Sequence, residues 1–152
     1  MTDPQIVSAL AEFPVTVRLP IYWGDMDVFG HINSTVHLRW FEAARAAYAL
    51  KIGLQIQTRD SGIGVVMASV TCNYRRQLTY PGEVMSGGRI SRLTLSNMTM
   101  DYQVVDANTG LTAADGTSIL VAYDFPADRP VSVPDNVRAA IERLEGKTFA
   151  DS

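Results

Sequence analysis

The sequence contains very little of several residue types, and each shortage excludes a class of protein. Only one of its 152 residues, Cys72, is a cysteine, so the chain cannot form an internal disulfide. This usage fits a reducing compartment and predicts a cytoplasmic protein. No apolar run approaches the roughly 20 residues that cross a bilayer, and no signal segment opens the chain. We therefore expect neither a disulfide-stapled secreted fold nor a membrane partner.

The chain also lacks an excess of positive charge. Its net charge is −3 at pH 7, with 19% charged and 47% hydrophobic residues. This is a globular composition, and it offers no electrostatic basis for binding nucleic acid. The length suits one domain with its own hydrophobic core. We expect residues 1–152 to form a single domain without a nucleic-acid partner.

Three common functional signatures are absent from the sequence. We find no Cys/His/Asp cluster with metal-ligand spacing, no Gly-x-Gly-x-x-Gly or phosphate loop, and no Gly-x-Ser-x-Gly elbow. The last absence argues against a serine α/β-hydrolase. We accordingly expect no metal and no bound cofactor.

The dominant pattern is a long helix followed by strands. The helix is predicted from about residue 34 to 52, where Gly53 is a good stop, and a loop is predicted over 54–62. Glycine at position 116 predicts a β-bulge in the last strand. The other predicted elements are a helical turn over 2–12, strands at 14–22, 64–76, 83–95, 98–106 and 112–125, and a terminal helix over 134–145.

This order predicts an α+β protein. One strand, one long helix and about four consecutive strands suit an antiparallel sheet packed on a single helix, with the core over about 14–125. Such a sheet has unpaired strand edges and an exposed apolar face. Proteins commonly bury such surfaces by dimerisation, so we expect a homo-oligomer.

The most informative segment is residues 24–42, which reads GDMDVFGHINSTVHLRWFE. It places two carboxylates, Asp25 and Asp27, just before the predicted helix, which Asn33 or Ser34 can cap. The first N–H groups of a helix have no internal partner and can hold a developing negative charge. A nearby aspartate can attack a carbonyl or deprotonate water. Together these groups are the minimum equipment for acyl transfer.

Two motifs resemble a known family. They are Asp25-x-Asp27-x-x-Gly30-His31-x-Asn33 with Trp40-Phe41-Glu42-x-x-Arg45, and the weaker CNYRRQLTYPGE at 72–83. Both resemble the hotdog-fold acyl-CoA thioesterases, most nearly the 4-hydroxybenzoyl-CoA thioesterase-like group. The resemblance implies a curved antiparallel sheet wrapped around one long central helix. It also implies hydrolysis of a thioester to coenzyme A and a free acid, in homodimers or homotetramers with active sites at the subunit interface.

The resemblance implies a role for several residues. Asp27 matches the catalytic carboxylate, which acts as nucleophile or as general base. Ser34 falls where the family places the backbone N–H that polarises the thioester carbonyl, and His31 and Asn33 match the stretch that lines the site. The family often has a second asparagine and a tyrosine where this chain has Ser34 and His37, so the acyl group is undefined.

Arginines are the candidate contacts for coenzyme A. Arg75 and Arg76 fall near positions that could meet its phosphates, and Arg89 and Arg92 lie on neighbouring strand segments. Guanidinium forks suit phosphate, although solvated arginines are equally common on a sheet. Ser96 is a further candidate contact, to the pantetheine arm or the acyl group. The substrate is an acyl-CoA or the corresponding acyl carrier protein thioester.

Several residues have a structural interpretation beside the functional one. Asp27 could form only an Asx turn, and Asp25 is expected to hold the turn through backbone N–H bonds. His31 could be a turn residue, and His37 a packed core histidine. Glu42 is the rival catalytic acid, because a second hotdog group places its glutamate on the helix. Its i, i+3 spacing to Arg45 favours an ion pair instead.

Two other functions stay open at this stage. One is an acyl-thioester hydratase or dehydratase on the same fold, which would show C–C double-bond chemistry rather than thiol release. The other is a non-catalytic acyl-CoA-binding module, which would bind tightly without hydrolysis.

Overall fold

The computed structural model describes residues 4–54 and 62–150, which contain three α-helices and six strands. The predicted loop over 54–62 falls almost wholly on residues 55–61, outside the described residues. A short 3₁₀ turn, Trp23–Asp25, precedes the loop that carries Asp27. The elements are α1 Pro4–Ala9, β1 Val15–Ile21, α2 Ser34–Lys51, β2 Ile63–Tyr74, β3 Gly82–Leu93, β4 Asn97–Asp106, β5 Thr112–Asp124, β6 Arg129–Pro130 and α3 Asp135–Glu145.

The strands form one antiparallel sheet in the order β1-β3-β4-β5-β2, and β6 adds two residues beside β5. The α+β class predicted from the sequence is confirmed. Consecutive strands β3, β4 and β5 are neighbours, as short antiparallel connections require. The 12-residue strand β2 pairs only with β5 and is therefore an edge of the sheet within the described residues.

Helix α2 packs on this sheet through contacts with β1, β3 and β4. It buries one face, and its Phe41 ring stacks on Tyr102 of β4 with ring centroids 4.6 Å apart. Gly116 of β5 makes this approach possible, because a Cβ there would lie 2.6 Å from the Phe41 ring and 2.2 Å from the Thr71 carbonyl oxygen. The buried residues of α2 are Val36, His37, Trp40, Phe41, Ala44, Tyr48 and Ala49.

The last strand carries a β-bulge near Gly116, as predicted, but not at the glycine itself. Gly116 stays in register with Cys72 on β2 and Tyr102 on β4. The shift in the β4–β5 register falls at Ala113 instead. The glycine is needed because Phe41 of the helix packs closely against it, not because of a bulge. A glycine within a strand is the sequence signal for either arrangement.

The terminal helix predicted over 134–145 is confirmed as α3. Its Val137 and Ile141 are buried in the same apolar core as α2. Glu145 anchors its last turn, since its Oε2 accepts hydrogen bonds from the Tyr48 hydroxyl (2.5 Å) and the Ile90 N–H (2.8 Å). Within the part of the chain that the structure describes, no helix is long and apolar enough to span a membrane.

Candidate active site

The loop before α2 holds Asp27 in a tight hairpin-like turn. The Asp27 N–H donates to the His31 carbonyl (2.8 Å), and the Gly30 N–H donates to the Asp27 carbonyl (3.1 Å). Gly30 has a φ of +79°, a conformation that side chains oppose, so a glycine is required here. Oδ1 of Asp27 accepts from the N–H groups of Phe29 (2.9 Å) and His31 (3.4 Å). These Asx-turn bonds fix the carboxylate through one oxygen, and no residue of the described chain bonds to Oδ2.

Asp25 has the structural role predicted for it. The side chain is buried, and its Oδ2 accepts from the Tyr22 N–H at 2.8 Å. Its Oδ1 pairs with the guanidinium of Arg39 on α2, also at 2.8 Å. Its carbonyl accepts from the Asn33 N–H (2.9 Å). Asp25 therefore ties the Asp27 loop to the start of α2.

Asn33 is the N-cap of α2, and this part of the prediction is confirmed. Its Oδ1 accepts from both the N–H and the hydroxyl of Thr35, each at 3.1 Å. Ser34 is the first helical residue, as predicted. The Ser34 N–H has no acceptor among residues 4–54 and 62–150, while its carbonyl accepts from the Tyr74 hydroxyl (2.9 Å). The helix therefore presents an uncommitted donor at its positive end.

A cavity of about 280 Å³ opens beside this helix start. A hydrogen bond from the Ile32 N–H to the Leu78 carbonyl (2.9 Å) holds the two chain segments that form it together. Asp27, His31 and Asn33 lie in the adjoining loop rather than in the cavity wall. The cavity is lined by Ile32, Ser34, His37, Tyr74, Arg75, Arg76, Gln77 and Leu78.

His37 is a buried member of this wall; the sequence allowed it to face the site and favoured a packed histidine. Its ring lies edge-on to Trp40 (centroids 5.0 Å apart) and to Tyr74 (5.2 Å). Burial lowers the pKa of His37 to about 4, so the imidazole is neutral at pH 7. Its Nδ1 is buried and has no hydrogen-bond partner in the described chain. The available sequence signal is its position one turn after Asn33.

The two neighbouring arginines at the end of β2 differ in their pairing. Arg75 forms a forked ion pair with Asp115, with N···O distances of 2.8 and 3.2 Å. This guanidinium holds the pKa of Asp115 below its usual value. Arg76 is exposed, and its side chain has no partner in the described part of the chain. Of these two arginines, Arg76 is therefore the one that is free to meet a phosphate.

The other predicted contacts lie away from the helix start. Arg92 sits on β3 opposite Thr99, and the Ser96 hydroxyl lies 3.3 Å from the Asn97 side chain, both at the far end of the sheet. Arg89 is committed to Glu12 (2.7 Å) and Asp101 (3.3 Å). Within one copy of the chain, the structure does not bring Arg92 or Ser96 to Ser34.

Glu42 has the ion-pair geometry that its spacing predicts. Its side chain is 71% exposed, and its carboxylate lies 3.9 Å from the Arg45 guanidinium. Arg45 in turn donates to the Tyr102 hydroxyl (3.1 Å). Both residues border a second cavity, of about 350 Å³, between α2 and the sheet. Its remaining lining is almost entirely apolar: Ala46, Ala49, Leu54, Gly64, Val65, Met67, Leu120 and Phe125.

The side chains do not assemble a metal site in the described chain. Among residues 4–54 and 62–150, no three His, Cys, Asp or Glu side chains group closely enough to hold a metal ion. The chemistry that the described residues offer at the helix start is that of a carboxylate, a backbone donor and a neutral imidazole.

Comparisons with known proteins agree with this geometry. Residues 21–141 match the family model of the thioesterase-like superfamily. A crystal structure of a thioesterase from Thermus thermophilus, complexed with coenzyme A and Zn, is 31% identical, with a TM-score of 0.79 over 91% of this chain and 98% of that one. A putative thioesterase from Pseudomonas aeruginosa is 28% identical, with a TM-score of 0.76 over 85% and 98%.

Among curated proteins, the uncharacterized protein YsmA of Bacillus subtilis (strain 168) is 26% identical over 124 residues, 82% of each chain. The family model covers well over half of this sequence and includes both motifs that carried the resemblance. The hotdog thioesterase relationship predicted from the sequence is confirmed: the chain belongs to the thioesterase-like superfamily, a family of thioester hydrolases.

Proposed function

We propose that the protein is an acyl-CoA thioesterase, which hydrolyses its substrate to a free carboxylic acid and coenzyme A. The observation that carries the proposal is the uncommitted Ser34 N–H at the start of α2, preceded by a loop that fixes Asp27 through one oxygen only. The Thermus thermophilus relative was crystallised with coenzyme A, which supports coenzyme A over an acyl carrier protein as the carrier.

In the proposed mechanism the thioester oxygen accepts a hydrogen bond from the Ser34 N–H. Negative charge develops on this oxygen as the carbonyl carbon is attacked, and a fixed donor at a helix N-terminus stabilises it. As a general base, Asp27 takes a proton from water while the water oxygen bonds to the carbonyl carbon. The intermediate then expels the thiolate of coenzyme A, which takes up the proton.

As a nucleophile, Asp27 instead bonds to the acyl carbon and releases the thiolate, and water then cleaves the acyl anhydride. Both routes use the free Oδ2 of Asp27. His31, whose imidazole bonds to no described residue, is a further side chain of the loop that can contact the substrate. Asn33 acts through the cap that holds Ser34 in place.

Arg76 is the proposed principal contact for the phosphates of coenzyme A, since it lines the cavity and is unpaired in the described chain. Arg75 contributes less, because Asp115 already occupies its guanidinium. Arg92 and Ser96 remain proposed contacts, but their position at the far end of the sheet requires that they act from a second copy of the chain.

A homodimer is the proposed minimal assembly, and a homotetramer is compatible with it. Strand β2 leaves a 12-residue edge without a partner among the described residues, a surface that proteins usually cover. In the Asp27 loop, Val28 is 94% exposed and Phe29 80% exposed. Apolar side chains so fully in solvent, next to a catalytic carboxylate, favour burial by a second copy.

Antiparallel pairing of two β2 edges would complete the site. It sets the Tyr74 end of one strand beside the Ile63 end of the other. The apolar cavity of one copy, which Val65 and Met67 line, then lies near the helix start of its partner. This cavity is the proposed receptacle for the rest of the acyl chain.

The remaining expectations on fold and location also stay proposals. We propose that the chain is one domain in which the sheet curves around α2, supported by the main apolar cluster, which contains both Tyr48 of α2 and Ile141 of α3. A cytoplasmic location is supported by the free thiol of Cys72.

The test is thiol release from a panel of acyl-CoA substrates, short, long and aromatic, by the wild type, Asp27→Asn and Glu42→Gln. We expect the Asp27 variant to lose about 10²- to 10⁴-fold in kcat, the usual contribution of a general base. The Glu42 variant should keep its turnover, because that carboxylate is exposed and ion-paired. Loss of turnover in the Glu42 variant alone would show that Glu42 on α2, and not Asp27, is the catalytic carboxylate. Tight acyl-CoA binding without thiol release would support a binding module instead.

A further inference from the structure

Tyr74 is the last residue of β2 and lines the cavity at the start of α2, and the proposed mechanism does not use it. Its hydroxyl donates a hydrogen bond to the Ser34 carbonyl at 2.9 Å. The two residues are 40 positions apart in the sequence, so this bond links the sheet directly to the first residue of the helix. Burial raises the pKa of Tyr74 above its ordinary value, so the hydroxyl keeps its proton at pH 7 and can donate.

Helix α2 does not need this bond in order to form. In any α-helix the carbonyl of the first residue accepts from the N–H four residues later, and the oxygen has a second lone pair for a further donor. Asn33 already caps the helix, since its side chain accepts from the Thr35 N–H. The bond from Tyr74 therefore supplies no missing partner. It fixes the position of the Ser34 backbone relative to the end of β2.

The Tyr74 hydroxyl is itself rigidly supported. The N–H groups of the next two residues along the chain both donate to the Ala113 carbonyl of β5, at 2.8 and 3.1 Å. The tyrosine ring packs edge-on against the ring of His37, with centroids 5.2 Å apart. A donor that is anchored in a sheet and packed by a buried ring holds its acceptor more precisely than a donor on a loop.

The Ser34 backbone is held from its other side by the loop. The Asn33 N–H donates to the Asp25 carbonyl at 2.9 Å, immediately before the proposed oxyanion donor. The Ser34 N–H thus lies between a bond to the loop and the bond to Tyr74. Such a donor stabilises the developing charge only when its position is fixed in advance, and an error of about 1 Å in catalytic geometry can cost about 10²-fold in rate.

We propose that Tyr74 is a positioning residue, which orients the Ser34 N–H toward the thioester oxygen by holding the Ser34 carbonyl at the end of β2. Tyr74 acts through the Ser34 backbone and does not touch the reacting atoms. This inference rests on the proposed function and deepens it, because it names the residue that fixes the oxyanion donor of the same site. A bond to the oxyanion is stronger in the transition state than in the bound substrate, so loss of this orientation should lower kcat and leave KM nearly unchanged.

The experiment measures kcat and KM for an acyl-CoA in the wild type, Tyr74→Phe, Ser34→Pro and the double variant. Tyr74→Phe deletes one oxygen and keeps the ring against His37. We expect it to lower kcat about tenfold, less than a full misplacement because the cap at Asn33 remains. In the Ser34→Pro background the donor is already absent, so Tyr74→Phe should leave kcat unchanged. This double-mutant cycle separates an effect through Ser34 from an effect elsewhere in the protein.

Tyr123→Phe is the matched control, because it also deletes a tyrosine hydroxyl that is hydrogen-bonded, to Asp128 at the surface. Neither of these residues lines the two cavities described above, so kcat and KM should stay at the wild-type values. A wild-type kcat in Tyr74→Phe, or an equal fall in kcat in both backgrounds, would overturn the proposal and leave the proposed function standing. A folded and fully active Ser34→Pro variant would overturn the oxyanion assignment together with this proposal. No thiol release from any acyl-CoA would overturn the proposed function.

Vibrational spectroscopy measures the orientation of the donor without relying on turnover. The stretching frequency of a thioester carbonyl falls when its oxygen accepts a hydrogen bond, and Asp27→Asn should be slow enough for the bound acyl-CoA to be observed. We expect a lower frequency in Asp27→Asn than in free acyl-CoA, and part of this difference should disappear when Tyr74→Phe is added. The same carbonyl frequency in the two proteins would contradict the proposal.

Discussion

The two ends of helix α2 differ in whether the polar groups beside them have hydrogen-bond partners. At the N-terminal end, the Ser34 N–H, the Nδ1 of His37 and the guanidinium of Arg76 have no partner in the described chain. Toward the C-terminal end, the Tyr48 hydroxyl is bonded to Glu145, which also binds a strand N–H. Polar groups that stabilise the fold are paired within it, whereas the Ser34 N–H and the Arg76 guanidinium are unpaired at a cavity and are available to a substrate.

Among the changes that test this comparison of the two helix ends, removal of one backbone hydrogen at the N-terminal end should have the largest effect. Ser34→Pro deletes the proposed oxyanion donor, and proline is well tolerated at the first helical position. Asn33 has φ −58° and ψ 137°, an extended conformation that a following proline accepts. We expect kcat for an acyl-CoA to fall about 10²- to 10³-fold, equivalent to about 3–4 kcal/mol, with little change in Tm.

Ser34→Ala is the matched control, because it removes the hydroxyl and keeps the N–H. Its kcat should stay near that of the wild type. A Ser34→Pro enzyme that is folded and fully active would show that this amide does not bind the thioester oxygen.

Lowering the pH should reduce the free energy of unfolding, because His37 at the N-terminal end of α2 becomes protonated more readily in the unfolded chain. Its pKa is about 4 in the folded protein and about 6.5 in the unfolded chain, so the unfolded state binds more protons between these values. The stability is therefore complete above pH 6.5 and is lost as the pH falls toward 4. Between pH 7 and 4.5 this group should remove about 2–3 kcal/mol from the free energy of unfolding in urea.

The same titration in His37→Phe isolates this contribution from the other groups of the protein. The variant should lose less stability over that pH interval than the wild type, by the amount assigned to His37. Identical pH dependences would mean that His37 keeps a normal pKa in the folded state.

At the C-terminal end, the loss of a paired group should reduce stability and leave catalysis unchanged. Tyr48→Phe removes the bond to Glu145, and a bond to a charged group contributes about 2 kcal/mol. For a chain of this length Tm should fall by roughly 4–8 °C. Tyr123→Phe, which loses a surface bond to Asp128, should shift Tm much less. A large fall in the kcat of a folded Tyr48→Phe variant would show that this end of α2 also contributes to catalysis, which contradicts the comparison.

The smallest expected effect is on KM, and it should differ between Arg76, which is unpaired, and Arg75, which is ion-paired. Arg76→Ala should raise KM for an acyl-CoA about fivefold, equivalent to about 1 kcal/mol for an exposed contact to phosphate, without changing kcat. Arg75→Ala should have less effect on KM, because its guanidinium already binds Asp115. High salt should narrow the difference between Arg76→Ala and wild type. A larger KM effect from Arg75 would reverse the assignment.

Local signals made much of the fold predictable. The helix stop at Gly53, the cap at Asn33 and the alternating strand segments give α2 and the five long strands to within about two residues, whereas the two-residue strand β6 was not predicted. These features depend on interactions between residues close in sequence. Gly116 shows the limit of such signals, because a glycine in a strand is compatible with a bulge and with close packing. Only the position of Phe41, far away in the sequence, decides between them.

The candidate site was predictable in part for the same reason. The Asp27 loop and the start of α2 adjoin in sequence, so one motif specifies both. Arg75 and Arg76 are indistinguishable in the sequence, yet Asp115 on the neighbouring strand pairs with one and not the other. His37 is inconspicuous in the sequence because its burial against Tyr74 is a contact between residues far apart in the chain.

By itself, the sequence determined the α+β class, the start of α2 at about residue 34 and the family to which the protein belongs. The tertiary structure decided which polar groups remain unpaired: the packing of the β2 end against the start of α2 buries His37, and the β2–β5 pairing brings Asp115 to Arg75. The physical reason is that hydrogen bonds and burial depend on distance in space. Local pattern sets the conformation of a segment, and only the assembled sheet and helix determine which groups find a partner.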